Sequence, residues 1–497
     1  MSAARELLRV QNGAPIPASD LPHLEVSELQ AALVAGARRG ERVAALFGAP
    51  ESGGVSLFAV LASDRDGAVR VGRSSPLMGS FPSLTPLLPS VHLFEREIFE
   101  QHALRPEGHP WLKPVRYPPR AGTAAPIGIA DFYRIEGDEV HEVAVGPVHA
   151  GVIEPGHFRF QCHGENVMHL EISLGYQHRG VERAVVDGEP RRRLHYFETL
   201  AGDTTIGHAT AYAQLVEALG ECRVSARAHA LRAVALELER MANHTGDLGA
   251  LAGDVGFLPT AAFCGRLRGD WLNLSAELCG NRFGRSFVRP GGLGFDVDAK
   301  RAQRMVETVQ NALAEVSAAA DLLWDTPSVM SRFEDTGRLS REQAEEIGLV
   351  GPAARACGLP LDIRTTHPTG MFRVAQIPTA TWHSGDVFAR AYVRWLEIRR
   401  SAEFALEQLA SLPAGELRAS CESLAPDHVG VSLVEGWRGE ICHVAWTDAS
   451  GRLAGYKIVD PSFHNWMGLA LAMRGQQISD FPLCNKSFNL SYCGFDL

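Results

Sequence analysis

The chain has 497 residues, 45% apolar and 21% charged, a composition that suits two or three packed globular domains rather than a disordered or fibrous protein. A formal net charge of -10 supplies no basic field for gripping phosphate backbones, which argues against nucleic acid as a partner. No apolar run approaches the roughly 20 residues that span a bilayer. The opening MSAARELLRVQNGAPIP also lacks a charged segment followed by an apolar core, so the expectation is a cytoplasmic chain that meets a membrane only through partners.

Up to about Pro119, strand-like runs (VAALFGA, VSLFAVLAS, AVRVG) alternate with the helical run SELQAALVAGA, predicting a small α+β domain over residues 1–119. PPRAGTAAP then predicts a linker at 120–131. From Phe132 to about Val167 short strands and turns recur. Beyond them, amphipathic patterns predict long helices at residues 194–219, 226–252, 263–279, 299–323 and 386–409. Near the end ICHVAWTDASGRLAGYKIVDP alternates like a hairpin, with DASG as its turn. The fold class that follows is α+β: a small mixed domain, then a domain with a short β region and a long central helical bundle.

Nine cysteines are scattered singly with no CxxC pair, which suits reduced, packed thiols better than a disulfide frame. Two chemical candidates stand out. His149 and His157 flank Gly and Pro turns, and they either cap local backbone groups or present a proton donor to a cavity. Glu237, Arg240, His244, Asp247 and Asp254 recur at helical spacing, a stripe that is functional if buried and ordinary if solvated; the solvated face is the expectation. Dinucleotide, P-loop, zinc-protease and hydrolase motifs are absent, so the chain itself is expected to bind no nucleotide.

The segment GPVHAGVIEPGHFRFQCHGENVMHLEISLGYQHRGVER resembles the opening of the large subunit shared by energy-converting nickel-iron hydrogenases and respiratory complex I. ELERMANHTGDLGALAGDVGF, RPGGLGFDV, GDVFARAYVRWLEIRRS, VEGWRGEICH and IVDPSFHNW match further landmarks in order, so the likeness covers residues 132–497. Phe94-Glu95-Arg96-Glu97-Ile98-Phe99, followed by Glu107-Gly108-His109-Pro110, resembles the small partner subunit of complex I. Fusion of the two modules is similar to the large subunits of the hydrogenase-4 and formate hydrogenlyase type.

The resemblance implies a membrane-associated oxidoreductase complex of NADH:quinone oxidoreductase or hydrogenase kind, NAD binding and electron transport being properties of that class. It implies an iron-sulfur small subunit and membrane-embedded complex I-like subunits as partners, with an iron-sulfur cluster on the former. The chain would then sit peripherally on the cytoplasmic side of the bacterial inner membrane. The family's hydrogenases hold nickel and iron on four thiolates. Here the early pair falls on Ala201 and Thr204 and the late pair on Leu490 and Cys493, so no metal is expected. Cys484 is too far from Cys493 to restore the pair.

Complex I lacks the same cysteines and uses the vacated cavity for quinone. By that likeness His157 and Asp254 are the proton-handling pair, and His149, Asp203, Thr204, His208, Tyr212 and Cys493 are pocket candidates. The quinone-bonding tyrosine falls on Gly202, leaving Tyr196, Tyr212 or Asp203 to substitute. Arg240, Arg289 and Asp296 match landmarks, and His178, Arg179 and Arg289 are candidates for a subunit interface. The tail DFPLCNKSFNLSYCGFDL forms either part of a pocket or a packed C-terminal strand. Three readings result: a redox subunit whose cavity accepts quinone or another acceptor, a non-catalytic scaffold, and a hydrogenase with atypical ligands.

Overall fold

The structure, a computed structural model, describes residues 6–117, 131–149, 153–421 and 423–497. The first module is an antiparallel sheet in the order Leu8–Gln11, Ala68–Ser74, Gly54–Ser63, Arg42–Glu51, with His23–Leu24 added parallel to Ala68–Ser74. Helices Val26–Arg38 and His92–His102 accompany it. All but the last residue of the expected linker lies outside the described residues.

The first module is sewn into the second. Pro15–Pro17 pairs with His428–Gly436 and forms the edge strand of a sheet ordered Leu453–Val459, Gly439–Thr447, His428–Gly436, Pro15–Pro17. Phe47 and Phe58 stack on Trp446 at 5.7 and 6.0 Å, and Arg42 bridges Asp64 and Glu440 at 2.7 Å each. The expected hairpin is present as Gly439–Thr447 with Leu453–Val459. A separate three-stranded sheet, Asn166–Ser173, His157–His163, Val140–Val145, forms the short β region.

The long helices follow the apolar periodicity, with three departures. The expected helix at 194–219 breaks into Arg193–Glu198 and Thr205–Leu219, because Arg179 takes the carbonyls of Thr199 and Leu200 at 3.0 and 2.7 Å and Thr205 Oγ1 takes that of Glu198. The helix expected from residue 263 begins at Leu258, where Pro259 fits the first turn. The tail is not a strand: it forms helices Phe481–Phe488 and Tyr492–Asp496, separated by Asn489 in the left-handed region at φ 45°.

The central helix Ala226–Asp254 is buried along most of its length, and this overturns the expectation of a solvated charged stripe. Glu237, Arg240 and His244 are fully buried and Asp247 nearly so. Their charges are matched across the bundle: Glu237 takes Arg240 at 3.0 Å and Arg364 at 2.8 Å. Glu397, from the helix Val387–Ala410, takes His244 at 2.9 Å, Arg355 at 2.8 Å and Arg240 at 3.5 Å. Arg355 continues to Glu435 at 2.7 Å, and Arg394 holds Asp247 at 2.7 Å. Burial alone would raise the Glu397 carboxyl, but Arg355 and His244 hold it far below the usual range.

Removing one partner from a buried network strands the others without water. Glu397→Gln is therefore expected to cost about 3–5 kcal/mol, read as a large fall in the denaturation midpoint; a change no greater than that of an exposed Glu→Gln control would show that the network is not structural.

Candidate functional site

The two chain segments that would carry metal thiolates come together. Residues 199–204 join two helices, and Asn489 to Ser491 join the tail helices. Ala201, Thr204 and Leu490 are buried and Cys493 is partly so. A side chain that sequence reasoning did not single out links them. Strands His428–Gly436 and Gly439–Thr447 are joined by the two-residue turn Trp437-Arg438, which projects Arg438 inward. Its guanidinium donates to Asp203 Oδ1 at 2.5 Å and Oδ2 at 2.8 Å, to Thr204 Oγ1 at 3.2 Å and to the Asn489 carbonyl at 2.5 Å. One cation thus ties the early segment to the late one, in the bidentate geometry that makes such pairs strong.

The rest of the site supports that contact. The Asp203 carbonyl accepts from Trp437 Nε1 and Asn243 Nδ2 at 3.0 Å each, and Asn489 Nδ2 donates to Asp247 at 2.5 Å. Burial opposes ionisation of both partners, yet their mutual charge wins: Asp203 is held below the usual carboxylate range and Arg438 above the usual guanidinium range. Arg390 and Arg394 add a further anchor, donating to Ser487 Oγ at 2.8 Å and to the Ser487 carbonyl at 2.6 Å, at the C-terminal end of Phe481–Phe488 where cations are favoured.

A nickel-iron centre does not fit this donor set. Alanine, threonine and leucine offer no soft ligand. Cys493 lies within 3.5 Å of Ser491 Oγ, and burial together with the Glu154 carboxylate pushes its thiol up to about 11, so it is not a ready thiolate. Among the described residues no group of three or more His, Cys, Asp or Glu is arranged to hold a metal ion.

The histidine loop follows the backbone-capping alternative. His149 Nε2 donates to the Gly156 carbonyl at 2.8 Å and His157 Nδ1 to the Gly146 carbonyl at 3.3 Å. Gly146 (φ 85°) and Gly156 allow this close turn, since a Cβ at 146 would strike the Gly156 carbonyl and one at 156 the Tyr492 ring. His157 and Asp254 are not brought together by any hydrogen bond or ion pair among the described residues: Asp254 is paired with Lys486, and His157 with Gly146. His157 Nε2 and Asp254 Oδ2 are nevertheless buried with no hydrogen-bond partner among the described residues. Burial lowers His157 from its ordinary value.

The remaining candidates are placed as follows. His208 is fully buried, bonded to Asp460 and His443 at 3.1 Å each. Tyr212 stacks on Phe197 at 4.4 Å, its hydroxyl pushed up to about 12 by burial. His178 bonds the Asp496 carbonyl at 2.7 Å, and Arg179 bonds the Cys493 carbonyl at 3.0 Å; both line a cleft of about 820 Å³ between the two modules. The Arg289 carbonyl accepts from Arg232 at 2.6 Å, and Asp296 pairs with Arg227 at 2.8 Å. Gly202 is exposed and faces open space, beside an Asp203 side chain about one-third exposed. A weak sequence signal for Arg438 did exist: a lone Arg in a turn flanked by Gly436 and Gly439.

The mixed fold, with residues 199–204 and the tail helices meeting at Arg438, is the frame within which the relatives of this chain are compared. Residues 254–496 match the family described as respiratory-chain NADH dehydrogenase, 49 Kd subunit, and residues 33–126 the 30 Kd subunit family. The chain is 28% identical over 491 residues to formate hydrogenlyase subunit 5 of Escherichia coli (strain K12), spanning 92% of this chain and 84% of that protein. It is 28% identical to the carbon monoxide-induced hydrogenase of Rhodospirillum rubrum, over 70% of this chain and 97% of the relative. It is 25% identical to the membrane-bound hydrogenase subunit alpha of Pyrococcus furiosus, over 70% and 85%. The chain thus carries complex I-type modules of the 30-kDa and 49-kDa kinds fused in one polypeptide.

Arg438→Met is expected to lower stability by at least about 1.5 kcal/mol, the lesser value for a hydrogen bond to a charged group. Because the Asp203 value is depressed on folding, the wild-type advantage should be complete above the unfolded carboxylate value of about 3.9 and vanish as pH falls through the folded value. Denaturation curves of both proteins across that range are the check, and a difference independent of pH would exclude the ion pair as its source.

Proposed function

We propose that the chain is a nickel-free coupling subunit of a complex I-related membrane oxidoreductase. In this reading it joins an iron-sulfur partner to membrane-embedded subunits and passes conformational change between them, lying peripherally on the cytoplasmic face of the inner membrane. The observation that carries it is Arg438, whose guanidinium links Asp203, Thr204 and Asn489 where thiolates would converge. No helix among the described residues is long and apolar enough to cross a membrane, which is consistent with attachment through partners. His178, Arg179 and Arg289 are the residues assigned to the contact with the iron-sulfur subunit.

A second reading, in which quinone or another small redox acceptor binds at the rim, is favoured by the open space at Gly202 and by His157 Nε2, which has no hydrogen-bond partner among the described residues. There His157 supplies a proton to a developing oxyanion and Asp254 assists as a second ionisable group, with His149, Asp203, Tyr212 and Cys493 around the acceptor.

Metal analysis, hydrogen evolution and quinone reduction on one preparation of the purified membrane complex test both. The expected result is nickel far below one per chain and no hydrogen evolution; stoichiometric nickel would overturn both readings. His157→Ala and Asp254→Asn separate them. Turnover close to wild type supports coupling, whereas loss of about 10²-fold or more with assembly intact, the scale of a general acid, moves the assignment to the acceptor site.

A further inference from the structure

Behind the vacated site runs a line of hydrogen bonds that neither reading uses. Tyr456, on the strand Leu453–Val459, bonds His443 Nδ1 through its hydroxyl at 2.9 Å. His443 Nε2 meets His208 Nδ1 at 3.1 Å, and His208 Nε2 meets Asp460 Oδ2 at 3.1 Å. His208 and His443 are fully buried, Asp460 and Tyr456 nearly so. One end is Tyr456, on the edge strand that borders the 820 Å³ cleft, its ring on the sheet face of His443 and opposite Lys457. At the other end Asp460 lies within the electrostatic reach of Arg438 and Asp203.

Donor and acceptor capacities leave one arrangement that satisfies every bond while both rings are neutral. Asp460 is an acceptor, so His208 carries its proton on Nε2. Its Nδ1 must then accept from His443 Nε2–H, and His443 Nδ1 accepts from the Tyr456 hydroxyl. Adding one proton gives a second, equally complete arrangement. His208 becomes an imidazolium donating to both Asp460 and His443 Nε2, while His443 Nδ1–H donates to the Tyr456 oxygen.

We propose that Tyr456, His443 and His208 form a proton path from the edge strand Leu453–Val459 to the vacated metal site, with the His208–Asp460 pair as the place where the proton is held. In the transfer, the Tyr456 O–H bond breaks as His443 Nδ1–H forms, and His443 Nε2–H breaks as His208 Nδ1–H forms. A hydronium ion admitted past the edge strand reprotonates the tyrosine oxygen. One proton enters, one is stored, and no electron moves.

The charges facing the path give the stored proton a reason to stop at His208. Asp203 and Asp460 oppose the single cation Arg438, leaving one negative charge that an imidazolium offsets. Glu239, on the central helix, accepts from the amides of Ile206 and Gly207, and burial pushes its carboxyl up to about 8. His443 faces His208, Tyr456 and the Phe197 ring, and burial drives its own value far below the usual one. It therefore passes a proton on rather than keeping it.

Long-range nitrogen–proton spectra of the full chain, deuterated and labelled with nitrogen-15 histidine, test the path, with His208→Gln and His443→Gln assigning the signals. At high pH both rings should carry hydrogen on Nε2. On acidification His208 should become doubly protonated and His443 should switch to Nδ1–H at one shared midpoint. Tyr456→Phe should slow solvent exchange of the His208 proton by at least about tenfold. Independent titration of the two rings, or His208 with hydrogen on Nδ1 alone at high pH, would overturn the proposal. So would unchanged exchange in a folded Tyr456→Phe chain. If that variant does not fold, the wild-type tautomer switch decides. The path is a property of the chain alone, so its failure leaves the coupling reading standing, and nickel in the complex would sink that reading without touching the path.

Discussion

The second module depends on keeping ionised groups out of water along the helix Ala226–Asp254. Glu237, Arg240 and His244 cannot be buried singly, because an unpaired charge in the interior costs several kcal/mol. They fix where Arg364, Glu397, Arg355 and Glu435 must sit, and so the docking of the helix Val387–Ala410 and of the strand His428–Gly436. That strand ends at the turn carrying Arg438. The placement of the guanidinium between Asp203 and Asn489 is therefore an outcome of pairing that begins deep in the bundle.

A thiolate-bound metal and an arginine–aspartate pair both hold two distant segments together, but they do so differently. A metal site fixes its ligands through directional bonds to soft sulfur. The pair seen here uses a planar fork with five donors, of which the aspartate, a hydroxyl and a backbone carbonyl satisfy several. It requires no loading step and responds to charge nearby. Asp460 is near enough for its charge to be felt by it.

Much of the architecture was legible in the sequence because apolar periodicity reports burial directly. The long helices and the DASG hairpin follow from it. The break between Glu198 and Thr205 was not legible, since it is caused by Arg179 reaching in from twenty residues away to take two carbonyls. Burial of the charged stripe on the central helix was not legible for a related reason: spacing places Glu237 and Arg240 on one face but says nothing of the arginines that arrive from residues 355 and 364. The tail was read as a possible strand because polar and apolar residues alternate there; the left-handed Asn489 and the arginines capping Phe481–Phe488 turn that pattern into two short helices. At the site, missing thiolates were plain from residue types, whereas Arg438, His443 and Asp460 belong to recognisable segments whose partners only folding assembles.

The three residues Pro15–Pro17 have a consequence for biosynthesis. They leave the ribosome long before the strand they pair with, which starts at His428, roughly 400 residues later. At 5–20 residues per second this is a wait of about 20–80 s. During that interval the nascent chain must keep an unpaired strand from meeting other edges, and its two prolines, which cannot donate to a ladder, suit it to that interval. Closure of the fused chain thus waits for the strand His428–Gly436.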